Sequence, residues 1–160
     1  MTVTTAPLAL AYSTDNCTVG RTMAILGERW TFVVLREVFN GIRRFDDIQA
    51  HSGIPRQVLT NRLAVLVEHG ILRKEPYRPP GGRSRHEYRL TSKGLDLYPV
   101  LVAVAAWGDR YVADPEGPPV AFAHRDCGEA AHLVVECAAG HRVEDMRDVV
   151  PRPGPGARPA

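Results

Sequence analysis

The stretch FDDIQAHSGIPRQVLTNRLAVLVEHG, residues 45–70, decides the fold of this chain. Its first part predicts a short helix over residues 45–51, which ends at Ser52-Gly53. Pro55 suits the first turn of a second helix, because the N–H that proline lacks is not needed there. That second helix is predicted to run to about His69 and to stop at Gly70. Two helices joined by a tight turn that contains glycine are therefore expected.

The flanking sequence completes a recognisable order of elements. Apolar residues spaced three and four apart predict one or two helices before residue 40, broken or bent near Gly27. After Gly70, residues 71–77 and 86–90 predict two strands joined by a Pro-Pro-Gly-Gly turn. A longer helix over about residues 92–111 follows, and Pro99 is expected to bend it or to shift its start. This order predicts a mainly α fold with a small β-wing, a winged helix-turn-helix, and a short C-terminal β-hairpin-like extension.

The sequence divides into four predicted segments. These are a flexible N-terminal arm (1–14), a winged helix-turn-helix domain for DNA binding and dimerisation (15–113), a small C-terminal extension (114–150), and a disordered Pro/Gly tail (151–160).

Composition excludes several classes of protein and hides a charge asymmetry. The chain has 160 residues, of which 44% are apolar, and a formal net charge of only +2. Residues 51–89 nevertheless carry a net charge of +5 and residues 109–160 a net charge of −3. Three cysteines are too few for a disulfide scaffold, and no apolar run approaches the roughly 20 residues of a membrane helix. We expect a cytoplasmic protein that has no membrane partner and whose basic middle part is suited to a polyanion.

The second helix of the decisive stretch has one apolar and one polar face. Leu59, Leu63, Leu66 and Val67 share the predicted core face. The outward face of the first two turns consists of hydrogen-bonding side chains: Arg56, Gln57, Thr60, Asn61 and Arg62. Arg recognises guanine, and Asn or Gln recognises adenine, in the major groove of double-stranded DNA. The face is thus a candidate for base contacts, and an ordinary solvated polar face is the alternative.

Further arginines flank this helix in sequence. Arg43 and Arg44 precede the first helix of the pair and are candidate phosphate contacts. Arg78, Arg83 and Arg85 surround the predicted wing loop, which would lie on phosphates or enter the minor groove. Any one of these five side chains would equally serve as an exposed ion-pair partner.

Ordered motifs between Cys17 and Tyr111 resemble the HxlR family of bacterial winged-helix transcriptional regulators, which are related to the MarR group. The motifs are GERWT (27–31), LRE (35–37), RRF (43–45), VLTNRL (58–63), EHGIL (68–72) and YRLTSKG (88–94), with Trp107-Gly108. The resemblance implies a homodimer on a pseudo-palindromic DNA site, with dimer contacts from the first and last long helices. The wing insert and Pro55, where a small polar residue is usual, depart from the family pattern.

The last long helix supplies a separate argument for dimerisation. Its apolar residues cover too much of its surface for a solvent-facing helix: Leu97, Val100, Leu101, Val104 and Trp107, widened by Leu95, Val102 and Ala106. A second copy of the chain would cover this surface. The alternative is that the N-terminal helices of the same chain cover it.

Cys17 is a candidate sensor thiol. It falls in the predicted first turn of a helix, with Arg21 four residues on, and both features favour a reactive thiolate. The resemblance adds that some relatives sense electrophiles or oxidants through a cysteine at the corresponding place. An inert, partly buried cysteine is the alternative.

The C-terminal extension contains a candidate zinc site. His124 and Cys127 form one pair and Cys137 and His141 another, and four N/S ligands in two pairs suit tetrahedral zinc. A small hairpin without metal is the alternative.

Three classes of function are consistent with a chain of this composition. The favoured class is a DNA-binding transcriptional regulator whose effector is a thiol-modifying electrophile or a small ligand. The alternative is a winged-helix module for protein–protein contacts without DNA binding, which would need an apolar or acidic outward face. An enzyme is not expected, because the chain has no phosphate-binding loop and no Ser-His-Asp signature.

Overall fold

The computed structural model describes residues 12–160, and most of the predicted N-terminal arm therefore lies outside the described residues. The chain forms two compact units. One comprises Met23–Leu133, and the other comprises, among the described residues, residues 12–22 and Val134–Ala160. Each unit is described by itself.

The described elements follow the predicted order. They are α1 (Thr18–Leu26), α2 (Arg29–Phe39), α3 (Phe45–Ser52), α4 (Arg56–Glu68), β1 (Leu72–Tyr77), β2 (Arg85–Leu90), α5 (Ser92–Leu95) and α6 (Tyr98–Tyr111), with one turn of 3₁₀ helix at Met146–Asp148. This arrangement is a mostly helical winged helix-turn-helix, as the sequence predicts.

The core of the larger unit lies where α2, α3, α4 and β1 meet. Leu59, Leu63 and Leu66 of α4 are buried, so the predicted core face of that helix is confirmed. They pack with buried apolar side chains from the neighbouring elements: Leu26, Val34, Leu35, Val38, Ile48, Ile54, Ile71 and Leu72. Burial of each such side chain contributes about 1.5–3 kcal/mol relative to exposure. The helix pair is therefore held rigidly with its polar face outward.

Two glycines in left-handed conformations set the entrance to and the exit from α3. Gly41 (φ 86°) follows the end of α2, and Gly53 (φ 69°) follows the end of α3. A residue with a side chain is strained at such φ values. Ile54, next to Gly53, is buried and anchors the turn between α3 and α4.

The wing is an antiparallel pair of strands in which Leu72 faces Leu90 and Tyr77 faces Arg85. Arg44 forms an additional antiparallel bridge with Glu87, and the Tyr88 N–H donates to the Arg43 carbonyl at 2.8 Å. The segment before α3 is thus attached to the wing.

Pro99 divides the predicted last helix into two. Thr91 caps α5, accepting from the Gly94 N–H at 3.1 Å, and Pro99 lies in the first turn of α6, where a missing N–H costs nothing. The sequence allowed for either a bend or a shifted start, and the structure shows a new helix start. None of the 14 residues of α6 is buried in the single chain.

The C-terminal residues form turns with isolated antiparallel bridges. Ala123 pairs with Ala130 in the larger unit, and Glu136 pairs with Arg142 in the smaller one. Residues 133–135, within the predicted hairpin-like extension, form no strand in the described structure, and their three side chains are exposed. No surrounding element buries them, and β-propensity alone does not form a strand.

The predicted disordered tail has defined contacts within the smaller unit. Tyr12 forms a bridge with Pro159, and the Asn16 side chain donates to the Gly156 carbonyl at 2.7 Å. The four domain limits given above stay predictions.

None of the helices in residues 12–160 combines the length and the apolar character needed to cross a membrane.

Candidate nucleic-acid interface

The outward face of α4 has the predicted polar character. Arg56, Gln57, Thr60 and Asn61 are exposed, and Arg62 is half-buried at the flank. The residues that sequence reasoning assigned to base contacts therefore share one surface of one helix.

Hydrogen bonds already orient these side chains. The Gln57 amide nitrogen donates to the Asn61 side-chain oxygen at 3.0 Å, and the Thr60 hydroxyl donates to the Arg56 carbonyl at 3.0 Å. The first bond leaves the Asn61 amide N–H₂ and the Gln57 oxygen free to contact a base edge. Adenine presents both an acceptor and a donor in the major groove, which matches this pair of groups.

Asp46 of α3 connects the two arginine-bearing elements. Its carboxylate lies 3.7 Å from the Arg56 Nη1 of α4 and 3.4 Å from the Arg85 Nη1 of β2. Arg56 also stacks on the Phe45 ring at 4.8 Å. Sequence reasoning missed Asp46, because nothing in a one-dimensional pattern places residue 46 between residues 56 and 85.

A groove of 410 Å³ separates the start of α4 from the wing. Three arginines line it, namely Arg44, Arg56 and Arg85, with Asp46 and Tyr77 between them. Arg44 stacks on the Tyr77 ring at 4.4 Å. We call this the reading groove; its positive lining suits a phosphate backbone.

The remaining predicted arginines lie around the same unit. Arg43 is exposed at the joint between α2 and α3. Arg83 is exposed in the wing loop, whereas Arg78 donates through Nε to the Gly82 carbonyl at 3.2 Å and so fixes that loop.

Pro55 lies immediately before α4 rather than inside its first turn, where the sequence predicted it. It occupies the N-cap position, and no side chain there accepts a hydrogen bond from the first turn. The first-turn N–H groups of α4 therefore lack a side-chain cap beside the exposed Arg56.

A buried carboxylate aligns α2 with α3. Glu37 is fully buried, accepts from the neighbouring Arg36 guanidinium and lies 2.6 Å from the His51 Nδ1 of α3. Charged groups are rarely buried without partners, so this pair fixes the first helix of the helix-turn-helix. In the sequence, Glu37 was noted only as part of the LRE motif (35–37), and its contact with His51 was not predicted.

Ion pairs organise the outer face of the wing. Arg73 faces Arg89 across the two strands, and Glu75 faces Glu87. Ion pairs join Arg73 to Glu75 within β1, Arg89 to Glu87 within β2, and Arg89 to Glu75 diagonally across the strands. The hydrogen bond from Arg73 holds the pKa of Glu75 below its ordinary value.

Cys17 lies immediately before α1 rather than inside its first turn. The Gly20 N–H donates to its Sγ at 3.4 Å, so the thiol caps the first turn of α1. Cys17 is exposed, and the Arg21 guanidinium contacts the Asp15 carbonyl at 3.5 Å.

The candidate metal ligands lie in two turns, one in each unit. The His124 Nδ1 lies 3.2 Å from the Cys127 Sγ, and the Cys137 N–H donates to the His141 carbonyl at 3.0 Å. Backbone N–H groups of the second turn, led by that of His141, lower the pKa of the Cys137 thiol. Within residues 12–160, no three His, Cys, Asp or Glu side chains come together as a metal-holding group. The zinc site stays a prediction.

Known proteins resemble this chain over most of its length. An uncharacterised HTH-type transcriptional regulator of Mycobacterium tuberculosis, Rv3095, is 43% identical over 92% of both chains. The solved structure of PA1607, described as a candidate transcription factor, is 34% identical with a TM-score of 0.75, covering 87% of this chain and 96% of that one. The reduced form of the redox regulator HypR is 26% identical with a TM-score of 0.51, covering 57% of this chain and 90% of that one.

The HxlR-like helix-turn-helix family matches residues 25–116, which include the helix pair and the wing. The chain therefore belongs to the HxlR-like helix-turn-helix family, and it is a transcriptional regulator with a helix-turn-helix DNA-binding fold.

Proposed function

We propose that the chain is a sequence-specific regulator that binds double-stranded DNA as a homodimer on a pseudo-palindromic site. The observation that carries the proposal is the exposed amide pair Gln57–Asn61 on α4, beside the arginine-lined reading groove. In a helix-turn-helix, the N-terminal part of the second helix contacts base edges in the major groove.

Base and phosphate contacts divide between two sets of residues. Gln57, Thr60 and Asn61 contact bases, with Arg56 and Arg62 at the edges of the same face. The wing and the segment before α3 contact the backbone through Arg43, Arg44, Arg78, Arg83 and Arg85. The uncapped first turn of α4 offers N–H groups to a further phosphate oxygen.

The second copy of the chain covers α6. Val104, Trp107 and Tyr111 are 50%, 61% and 59% exposed in the single chain, which is unusual for a helix of large apolar residues. A two-fold dimer presents two copies of α4 about one helical turn of DNA apart, and the site is then an inverted repeat.

Selection of duplexes from a random library tests the proposal. We expect enrichment of an inverted repeat whose half-site centres are about 10 base pairs apart. Enrichment of no motif, or equal affinity for selected and random duplexes at physiological salt, would show that α4 does not recognise sequence. An Arg142→Gln protein, which changes one charge outside the proposed contacts, is expected to select the same repeat.

A thiol switch at Cys17 is the regulatory part of the proposal. Cys17 is exposed and caps α1, and the chain resembles HypR, which is described as a redox regulator. Modification of the sulfur removes the cap and perturbs α1, which the family resemblance assigns to the dimer.

Diamide treatment of variants that each lack one cysteine tests the switch. Cys17→Ser is expected to retain the selected duplex under diamide, whereas the native chain releases it. Cys137→Ser is the matched control, since backbone N–H groups lower the pKa of the Cys137 thiol and it is the competing reactive sulfur. If diamide still releases the duplex from Cys17→Ser but not from Cys137→Ser, the switch is at Cys137.

A further inference from the structure

A cleft of 560 Å³ lies on the larger unit at the base of the wing. Its walls come from the end of α2, the two strands, the start of α6 and the turn after Ala123. Its volume is in the ordinary range for small-molecule sites. We call it the arginine cleft, because Arg43, Arg73, Arg89 and Arg125 line it.

The four guanidinium groups are unequally neutralised. Arg73 and Arg89 lie 2.7 and 2.8 Å from the two oxygens of Glu75, and Arg89 lies 2.6 Å from Glu87. The two carboxylates therefore balance these two arginines. Arg43 and Arg125 have no ion-pair partner within residues 12–160. The cleft thus carries an excess of two positive charges.

The remainder of the cleft is apolar and partly open to solvent. The rings of Phe39 and Tyr98 lie 4.7 Å apart at its wall, and Leu95 is 56% exposed beside them. An aromatic surface next to unpaired guanidinium groups suits a ligand that has an aromatic ring and an anionic group.

We propose that the arginine cleft binds a phosphomonoester that carries an aromatic ring. Above its second pKa, near 6, such an ester has two negative charges, which match the excess positive charge of the cleft. Guanidinium groups bind phosphate through paired hydrogen bonds, and the ring packs on the wall formed by Phe39 and Tyr98. The backbone of DNA fits less well, because each phosphodiester carries one charge and the bases are stacked inside the duplex.

Two turns bring the unpaired arginines to the cleft. Arg43 is held beside the wing by the hydrogen bond between its carbonyl and the Tyr88 N–H. Arg125 lies in the turn in which the His124 N–H donates to the Glu129 carbonyl at 2.8 Å. A ligand held by both arginines would therefore connect the wing base to the segment after α6.

Titration calorimetry with phenyl phosphate at pH 8, on the full chain without DNA, tests the proposal. We expect saturable binding at one site per chain. Inorganic phosphate, which lacks the ring, and benzyl alcohol, which lacks the charge, are each expected to bind at least about tenfold more weakly. The absence of DNA keeps the result independent of the proposed function.

Arg125→Gln is the decisive variant, because Arg43 is also assigned to DNA. Its affinity for phenyl phosphate is expected to fall about tenfold or more, with an unchanged thermal unfolding midpoint. The control Arg142→Gln removes the same charge outside the cleft and is expected to bind as the native chain does. No saturable binding, equal binding of inorganic phosphate, or equal losses in the two variants would overturn the proposal.

Discussion

At the scale of single residues, the position of a side chain on α4 decides what it can do. Asn61 is exposed and shares a hydrogen bond with Gln57, whereas Leu59 and Leu63, two residues away on either side, are buried. The 100° step between successive helical residues places the exposed polar side chains and the buried leucines on different faces of α4.

The substitution Asn61→Ala tests base recognition. It is expected to cost about 1–3 kcal/mol of binding free energy on the selected duplex and to relax preference at one base pair. Competition binding with single-base variants of the duplex measures both effects. Glu68→Ala, near the far end of α4, is the control. Equal losses on selected and random duplexes would contradict the assignment of Asn61 to a base.

The substitution Glu37→Gln tests the buried carboxylate. The neutral amide weakens the bonds to Arg36 and His51, and we expect the free energy of unfolding to fall by about 1–3 kcal/mol. Denaturant unfolding measures this change. The exposed Glu68→Gln is expected to stay within about 0.5 kcal/mol of the native chain. A Glu37→Gln protein as stable as that control would show that the pair does not hold α2 to α3.

At the scale of elements, the wing is fixed to the helix pair by charge and by backbone contacts. The Asp46 carboxylate of α3 forms an ion pair with Arg85 of β2. The backbone of Arg44 forms an antiparallel β-bridge with that of Glu87. Exposed ion pairs contribute little to stability, and these contacts lie beside the arginines that line the reading groove.

The substitution Arg85→Ala tests the wing as a phosphate-binding element. Affinity is expected to fall by similar factors on all duplexes, and the slope of log affinity against log salt to become shallower by about one. Arg142→Ala, with the same loss of charge, is expected to keep the native slope. A loss confined to the selected duplex would instead assign Arg85 to base recognition.

At the scale of the whole molecule, the unburied α6 is the basis of the proposed dimer. A 14-residue helix without a buried residue lacks the packing that normally stabilises helices in proteins.

The substitution Trp107→Glu is expected to convert the proposed dimer to a monomer, because a charge is then buried at the contact without a partner. Sedimentation measures the mass, and we expect the variant to lose affinity for the inverted repeat as it loses the ability to dimerise. Val149→Glu, an exposed valine outside α6, is the control. A native chain that sediments as a monomer at micromolar concentration would refute the dimer.

The local pattern was enough to predict most of the fold. Turn glycines, Pro55, and the spacing of Leu59, Leu63 and Leu66 predicted the helix pair, since these signals depend on neighbours within one or two turns. The same spacing predicted which side chains of α4 are exposed. The predicted hairpin-like extension has only isolated bridges in the described residues, because a strand also requires packing that local propensity does not specify.

Only the tertiary structure decided the contacts between distant residues. Asp46 meets Arg56 and Arg85, Glu37 meets His51, and Arg43 shares a cleft with Arg125. Each of these contacts depends on how whole elements pack, and packing depends on the shapes of many side chains together rather than on any periodicity in the chain. The sequence therefore determined the helix that carries the exposed polar face, while the fold determined the charged groups that surround it.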